Sequence, residues 1–229
     1  MKMKKTILYS LLLTAVVTQM FFAQVQQQWA RRYDAGMSQS TADVQADDSD
    51  NVYISGNIYL NENFDSEIRT IKYNSAGVIQ WMRLFTSASG VYNSNVHLVL
   101  DNSGNIYVAG MKKSGVSNIM LIIKYNPAGT QLWFRTYSLG IAGNYIPSAI
   151  KSDQWGNIYV CGYLVDPVTN DKKYYITLKY SSNGILQWHN AFTKGYSEIC
   201  TDAEIDDYGN VYVTGGCQIM QSGSNDIVT

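Results

Sequence analysis

The chain has 229 residues, is 46% hydrophobic, and carries 17 Lys and Arg against 18 Asp and Glu, for a net charge of −1. That balance, with no basic or acidic block, excludes nucleic acid and strong attraction to an anionic membrane. Heavy use of Tyr (18) and Gly (18) with only 3 Pro favours strands joined by tight turns.

The first residues differ from the rest. Lys2, Lys4 and Lys5 precede an apolar run from Ile7 to Val17, and Ala23 offers a small residue for cleavage. This layout predicts a secretory signal peptide over 1–23, with Phe21 the one residue larger than the rule prefers. A membrane anchor is the rival reading, but the apolar run is short and is followed by Thr18 and Gln19. Cleavage removes three Lys and no acid, which takes the net charge from −1 to −4. No Cys lies near the cleavage point to take a lipid. The expectation is a secreted or cell-surface bacterial protein, with 24–229 as its mature domain and no membrane span.

Next comes a repeat. Asp47 to Gly56, Asp101 to Gly110, Asp153 to Gly162 and Asp206 to Gly215 are four versions of one motif. Its Asn recurs at 51, 105, 157 and 210, at spacings of 54, 52 and 53. Trp29, Trp81, Trp133 and Trp188 are spaced by 52, 52 and 55, and Lys-Tyr at 72, 124 and 179 keeps step with them. Three markers sharing one period identify a repeat architecture.

Each period resolves into four short strands. In the second unit these are Val96 to Leu100, Asn105 to Met111, Ile119 to Tyr125 and Gln131 to Tyr137. Asp101 to Asn105 and Asn126 to Gly129 form turns, while Lys112 to Asn118 and Ser138 to Pro147 are read as connections. Four antiparallel strands per unit predict an all-β fold, a β-propeller of four-stranded blades of about 53 residues. The units run at about 42–85, 96–137 and 148–192, with an interrupted unit at 201–229. Gln28 to Tyr33, carrying Trp29, reads as an orphan fourth strand. The expectation is a propeller truncated inside its fourth unit, the remaining blades belonging to a longer chain. A closed ring of four, with 28–33 joining 201–229, is the alternative.

At these residues the chain resembles the SBBP repeat family, the seven-bladed β-propeller repeats of secreted bacterial proteins. The shared parts are Asp-x-x-Gly-Asn-x-Tyr-Val-x-Gly and Ile-x-Lys-Tyr-Asn-x-x-Gly-x-x-x-Trp, the latter seen best from Ile122 to Trp133. The likeness runs from about Gln28 to Thr229. It implies a secreted or surface protein and no particular activity. Asp50 for the turn Gly, Ser181 for Asn, and Asn190 in the place of Arg31, Arg83 and Arg135 depart from the pattern.

Candidate chemistry is sparse. Asp47, Asp101, Asp153 and Asp206 are read as turn-capping residues and not as calcium ligands, since the Glu that closes an EF-hand is absent. Gly56, Gly110, Gly162 and Gly215 belong to the same structural repeat. Asp43, His97 and Asp202 share one place in the first strands, and Lys151 and Glu204 share a second. These five are the candidate ligand-binding set, lining a channel mouth if the first strands surround an axis. The recurring Lys72, Lys124, Lys179, Arg31, Arg83 and Arg135 are read as solvating the outer strands. Cys161 fills a slot for small residues, and Cys200 and Cys217 flank one hairpin as the disulfide candidate. No nucleophile elbow, phosphate loop, dinucleotide fingerprint or metal motif occurs, so no catalytic residue, metal or cofactor is expected. The leading reading is a non-catalytic scaffold for a protein or glycan partner. The alternatives are part of a lyase- or glycosidase-type propeller enzyme, and a fragment without independent function.

Overall fold

The repeated Asp builds its turn around its own carboxylate. Asp101 Oδ1 accepts from the Ser103 and Asn105 amides, both at 2.9 Å, and Oδ2 accepts from Asn105 Nδ2 at 2.8 Å and Tyr107 Oη at 3.0 Å. Asp47, Asp153 and Asp206 repeat this set. The turn needs one residue at positive φ, supplied by Gly104 (72°), Gly156 (77°) and Gly209 (80°). In the first copy Asp50 takes that conformation instead, at 59°, a region Asp tolerates better than most side chains.

The computed structural model describes residues 27–32, 39–59, 66–86, 96–168, 172–193, 195, 197–218 and 225–228. The expected signal peptide lies outside them. The chain divides after Ala30 into two units. Of the first only 27–30 are described, with neither helix nor strand, and Trp29 lies there. The second begins at Arg31 and holds every described strand.

This second unit is all-β, with no helix among its described residues. Its first sheet is β1 (Gln39–Ala46), β2 (Val52–Tyr59), β3 (Ser66–Tyr73) and β4 (Ile79–Phe85), antiparallel in sequence order. Next come β5 (His97–Leu100), β6 (Ile106–Ser114), β7 (Ser117–Tyr125) and β8 (Gln131–Tyr137). A third set is β9 (Asn144–Ser152), β10 (Ile158–Val165), β11 (Lys173–Tyr180) and β12 (Leu186–Phe192). The last is β13 (Ser197–Ile205), β14 (Val211–Gln218) and β15 (Asn225–Val228). Single parallel pairs, Asn118 with Asn144 and Lys173 with Ser197, link the later sets into one eleven-stranded sheet.

Two departures from the sequence reading have local causes. The expected connection from Lys112 to Asn118 is mostly strand: β6 and β7 pair down to Ser114 and Ser117, leaving a two-residue turn with Gly115 at a φ of 61°. First strands also begin earlier than expected. In β1, β9 and β13 the register shifts between Thr41 and Asp43, at Pro147 to Ala149, and between Cys200 and Asp202. The skipped residues, Ala42, Ser148 and Thr201, are the expected unit starts. A bulge puts two residues against one and breaks the alternation that marks a strand in sequence. The partner backbone lies very close there. A Cβ added to Gly162 would collide with Ile146 O, and one on Gly215 with Ile199 O.

Alternation along β6 and β10 buries both faces of the second and third sets. Ile106 and Val108 of β6 pack with Tyr53, Ile68 and Trp81 of the first sheet. Tyr107 and Ala109, the residues between, pack with Tyr145, Val160 and Leu178 of the third set. Polar latches accompany these cores. Trp81 Nε1 donates to Pro127 O at 3.0 Å, and Trp133 Nε1 to Ser182 O at 3.2 Å. Arg83 Nε donates to Gly129 O at 2.5 Å, and Arg135 Nε to Gly184 O at 2.7 Å. Arg31 Nε makes the same contact to Gly77 O at 3.0 Å. Lys124, expected to solvate an outer strand, is buried instead. Its Nζ donates to Ser182 O at 2.9 Å and lies 4.8 Å from the Tyr107 ring centroid. These cations tie turn carbonyls, which carry partial negative charge, to the preceding sheet.

Candidate functional site

The first strands β1, β5, β9 and β13 adjoin in that order, and they bring part of the candidate ligand set together. Lys151 Nζ lies 2.9 Å from Glu204 Oε2 and 3.9 Å from Asp202 Oδ1. Burial works against its charge, but the hydrogen bond it donates to Glu204 and the carboxylates of Glu204 and Asp202 hold its pKa above the usual lysine value. Lys151 is thus kept protonated and is a poor nucleophile or base. Asp43 is occupied structurally: Oδ1 accepts from Val44 N at 2.8 Å and Oδ2 from Leu98 N at 2.9 Å. Asp202 Oδ1 likewise accepts from Ala203 N at 2.8 Å, just after its bulge.

His97 is half-buried, with Nε2 enclosed and unpartnered. Burial pushes its pKa down, against the carboxylates of Asp43 and Asp202 and a hydrogen bond with the Pro147 backbone. It does not share a hydrogen bond with Asp43, Lys151, Asp202 or Glu204. Lys151, Asp202 and Glu204 are therefore an ion-paired group with the His97 imidazole beside it, able to present donors and acceptors to a polar ligand. No group of three or more His, Cys, Asp or Glu among the described residues has the arrangement to hold a metal ion.

Cys161, Cys200 and Cys217 are all buried, and none of them is in a disulfide. Cys200 lies opposite Gly215 and Cys217 opposite Glu198, so the expected disulfide partners are one diagonal step apart. Cys200 is the nearer neighbour of Cys161. A hydrogen bond between their side chains, together with burial, pushes the Cys161 thiol up and leaves it unreactive.

Two features escaped the sequence reading. One is a groove of about 290 Å³ between the third and fourth sets, lined by Tyr175, Trp188, Phe192, Val211 and Val213 among others. The second is an aromatic pair on the rim formed by the repeated turns. Trp155 is 59% exposed and Tyr208 is 87% exposed. Both stand at the third position of their motif, where the first two copies have Ser49 and Ser103. Attention to the invariant positions hid them; a comparison of the variable positions finds them. No helix among the described residues is long and apolar enough to cross a membrane. No family model matches the chain, and no curated protein matches it.

Proposed function

We propose that the chain is a secreted or cell-surface β-propeller module that acts as a non-catalytic scaffold for a protein or glycan partner. The observation that carries this reading is the repeated step between sheets. Trp81 and Trp133 each reach a turn carbonyl of the next sheet, and Arg31, Arg83 and Arg135 each reach a turn glycine carbonyl. Like contacts at a like spacing across the first two junctions support a regular step between sheets, as blades around an axis require. Convergence of the first strands, with the polar lining of Lys151, Asp202 and Glu204, agrees with an axial position for them. The mutual neutralisation of those charges favours binding over acid–base chemistry.

Small-angle scattering on the chain recovered from the culture medium of a bacterial expression host tests the reading. Blades around an axis require a radius of gyration near about 17 Å for the mature chain. A clearly larger, rod-like particle, or retention of the chain in the cytoplasm, would count against it.

A further inference from the structure

We propose that Trp155 and Tyr208 form a stacking platform for a neutral polysaccharide. This deepens the scaffold reading, on which it rests for the chain's role as a binding module. The repeat itself supplies the control. At the third motif position the fold asks only for a backbone amide: Ser49 N, Ser103 N, Trp155 N and Tyr208 N donate to their turn Asp at 2.9, 2.9, 3.0 and 3.0 Å. Serine meets that need in two copies, so the large rings in the other two contribute nothing the turn requires. They are also largely in water, where an indole or phenol face gains most by covering an apolar surface.

The two turns that carry the rings adjoin, and the Trp155 ring lies against the second of them. A Cβ added to Gly209, the residue after Tyr208, would lie 3.5 Å from Trp155 Cζ3. Gln154 Nε2 donates to Asp207 O at 2.9 Å, tying the two turns together. Such fixing reduces the ordering cost of binding. The chemistry around the rings selects the partner. The C–H faces of a pyranose stack on aromatic rings, and its hydroxyls donate to carboxylates and amides; Asp207, Gln154 and Asn210 are exposed beside the rings. The acidic side chains of Asp206 and Asp207 disfavour a negatively charged glycan. A neutral chain of sugars, long enough to span both turns, fits all of these features.

Isothermal titration of the full secreted chain with cellohexaose and with maltohexaose tests the assignment. At least one of these probes is expected to bind. Trp155→Ser and Tyr208→Ser should each weaken that binding about tenfold, and the double variant should abolish it. Melting should be unchanged, because Ser already occupies the position in two copies. Should a Ser variant fold poorly, Trp155→Phe keeps a stacking face and should retain most of the affinity. Absence of binding by either sugar, or binding untouched in the double variant, overturns the proposal. Binding of an arginine-rich peptide in place of either sugar overturns it in favour of a protein partner. Scattering on the same sample separates this failure from failure of the scaffold reading.

Discussion

The junction between the first two sheets and the junction between the last two sets are built differently. At the first, Trp81 is 8% exposed, its Nε1 bonded to Pro127 O, and Arg83 grips the same turn. At the last, Trp188 is 37% exposed and its Nε1 has no hydrogen bond among the described residues. Asn190 stands where Arg83 and Arg135 stand in the earlier units. In place of the latch, the last junction has Tyr159 Oη on Gly209 O at 3.2 Å, Tyr175 Oη on Gly216 O at 3.3 Å and the Lys151–Glu204 pair. The difference separates two halves of the repeat. Third and fourth strands bring the apolar wall and the turn that receives Trp and Arg. First and second strands bring a smaller, more polar contact, and the groove beside Trp188 marks the space that Leu121, Ile123 and Tyr125 fill at the first junction.

The most direct way to break this comparison is to remove the two tryptophans. Trp81→Ala leaves a large cavity in a closed core and should cost about 3–5 kcal/mol in urea unfolding. Trp188→Ala removes a ring already open to water and should cost about 1 kcal/mol. Equal losses would show that the last junction is as closed as the first. A second pair probes the close backbone approach of the last set. Gly215→Ala puts a methyl against Ile199 O and 2.6 Å from Tyr175 Oη, so a loss of about 3 kcal/mol is expected. Gly216→Ala meets nothing within 4 Å and should stay within about 0.5 kcal/mol of the parent. Similar melting of the two variants would refute the bulge geometry.

How much of this was legible beforehand depends on what repetition records. Trp81 and Trp133 do one task in two units and the turn Asp residues one task in all four, so the period exposes them. Arg83 and Arg135 were visible as a repeat, but their task was not, because the carbonyls they bind belong to a turn about 46 residues away and a carbonyl has no sequence signature. Bulges were hidden for the opposite reason: they interrupt the period-two pattern by which strands are recognised. In the ligand set, equivalence by alignment placed Lys151 and Glu204 correctly on adjoining first strands. It gave no hint that Asp43 is consumed by backbone amides.

Charge contacts sharpen the contrast with smaller effects. Arg135→Ala at the second junction removes a charge-assisted bond to Gly184 O and should cost about 1–2 kcal/mol. Lys151→Met at the last junction breaks an exposed pair and should cost at most about 0.5 kcal/mol, less still in high salt. A larger loss for Lys151→Met than for Arg135→Ala would reverse the ranking of the two junctions.

The smallest expected effect is a slope with pH, and it belongs to the adjoining first strands. His97, on β5, meets the carboxylates of Asp43 from the first sheet and Asp202 from the last set, with Pro147 of β9 beside it. Burial outweighs them and depresses its pKa below the usual 6.5. The unfolded chain therefore takes up this proton more readily than the folded one. The stabilisation is complete above pH 6.5 and is lost as pH falls from there through the lower folded value. Asp47 does not confuse the window. Burial of Asp47 opposes its ionisation, but hydrogen bonds from Asn51, Tyr53 and Ser49 hold its pKa below 3.8, so its stabilisation is lost only in stronger acid. Urea melts at pH 7.5 and 5.5 should show the parent weakening at the lower pH and His97→Gln unchanged between the two. If the variant keeps the parent's slope, a group other than His97 takes up the proton, and the adjoining first strands are not the pH-sensitive part of the fold.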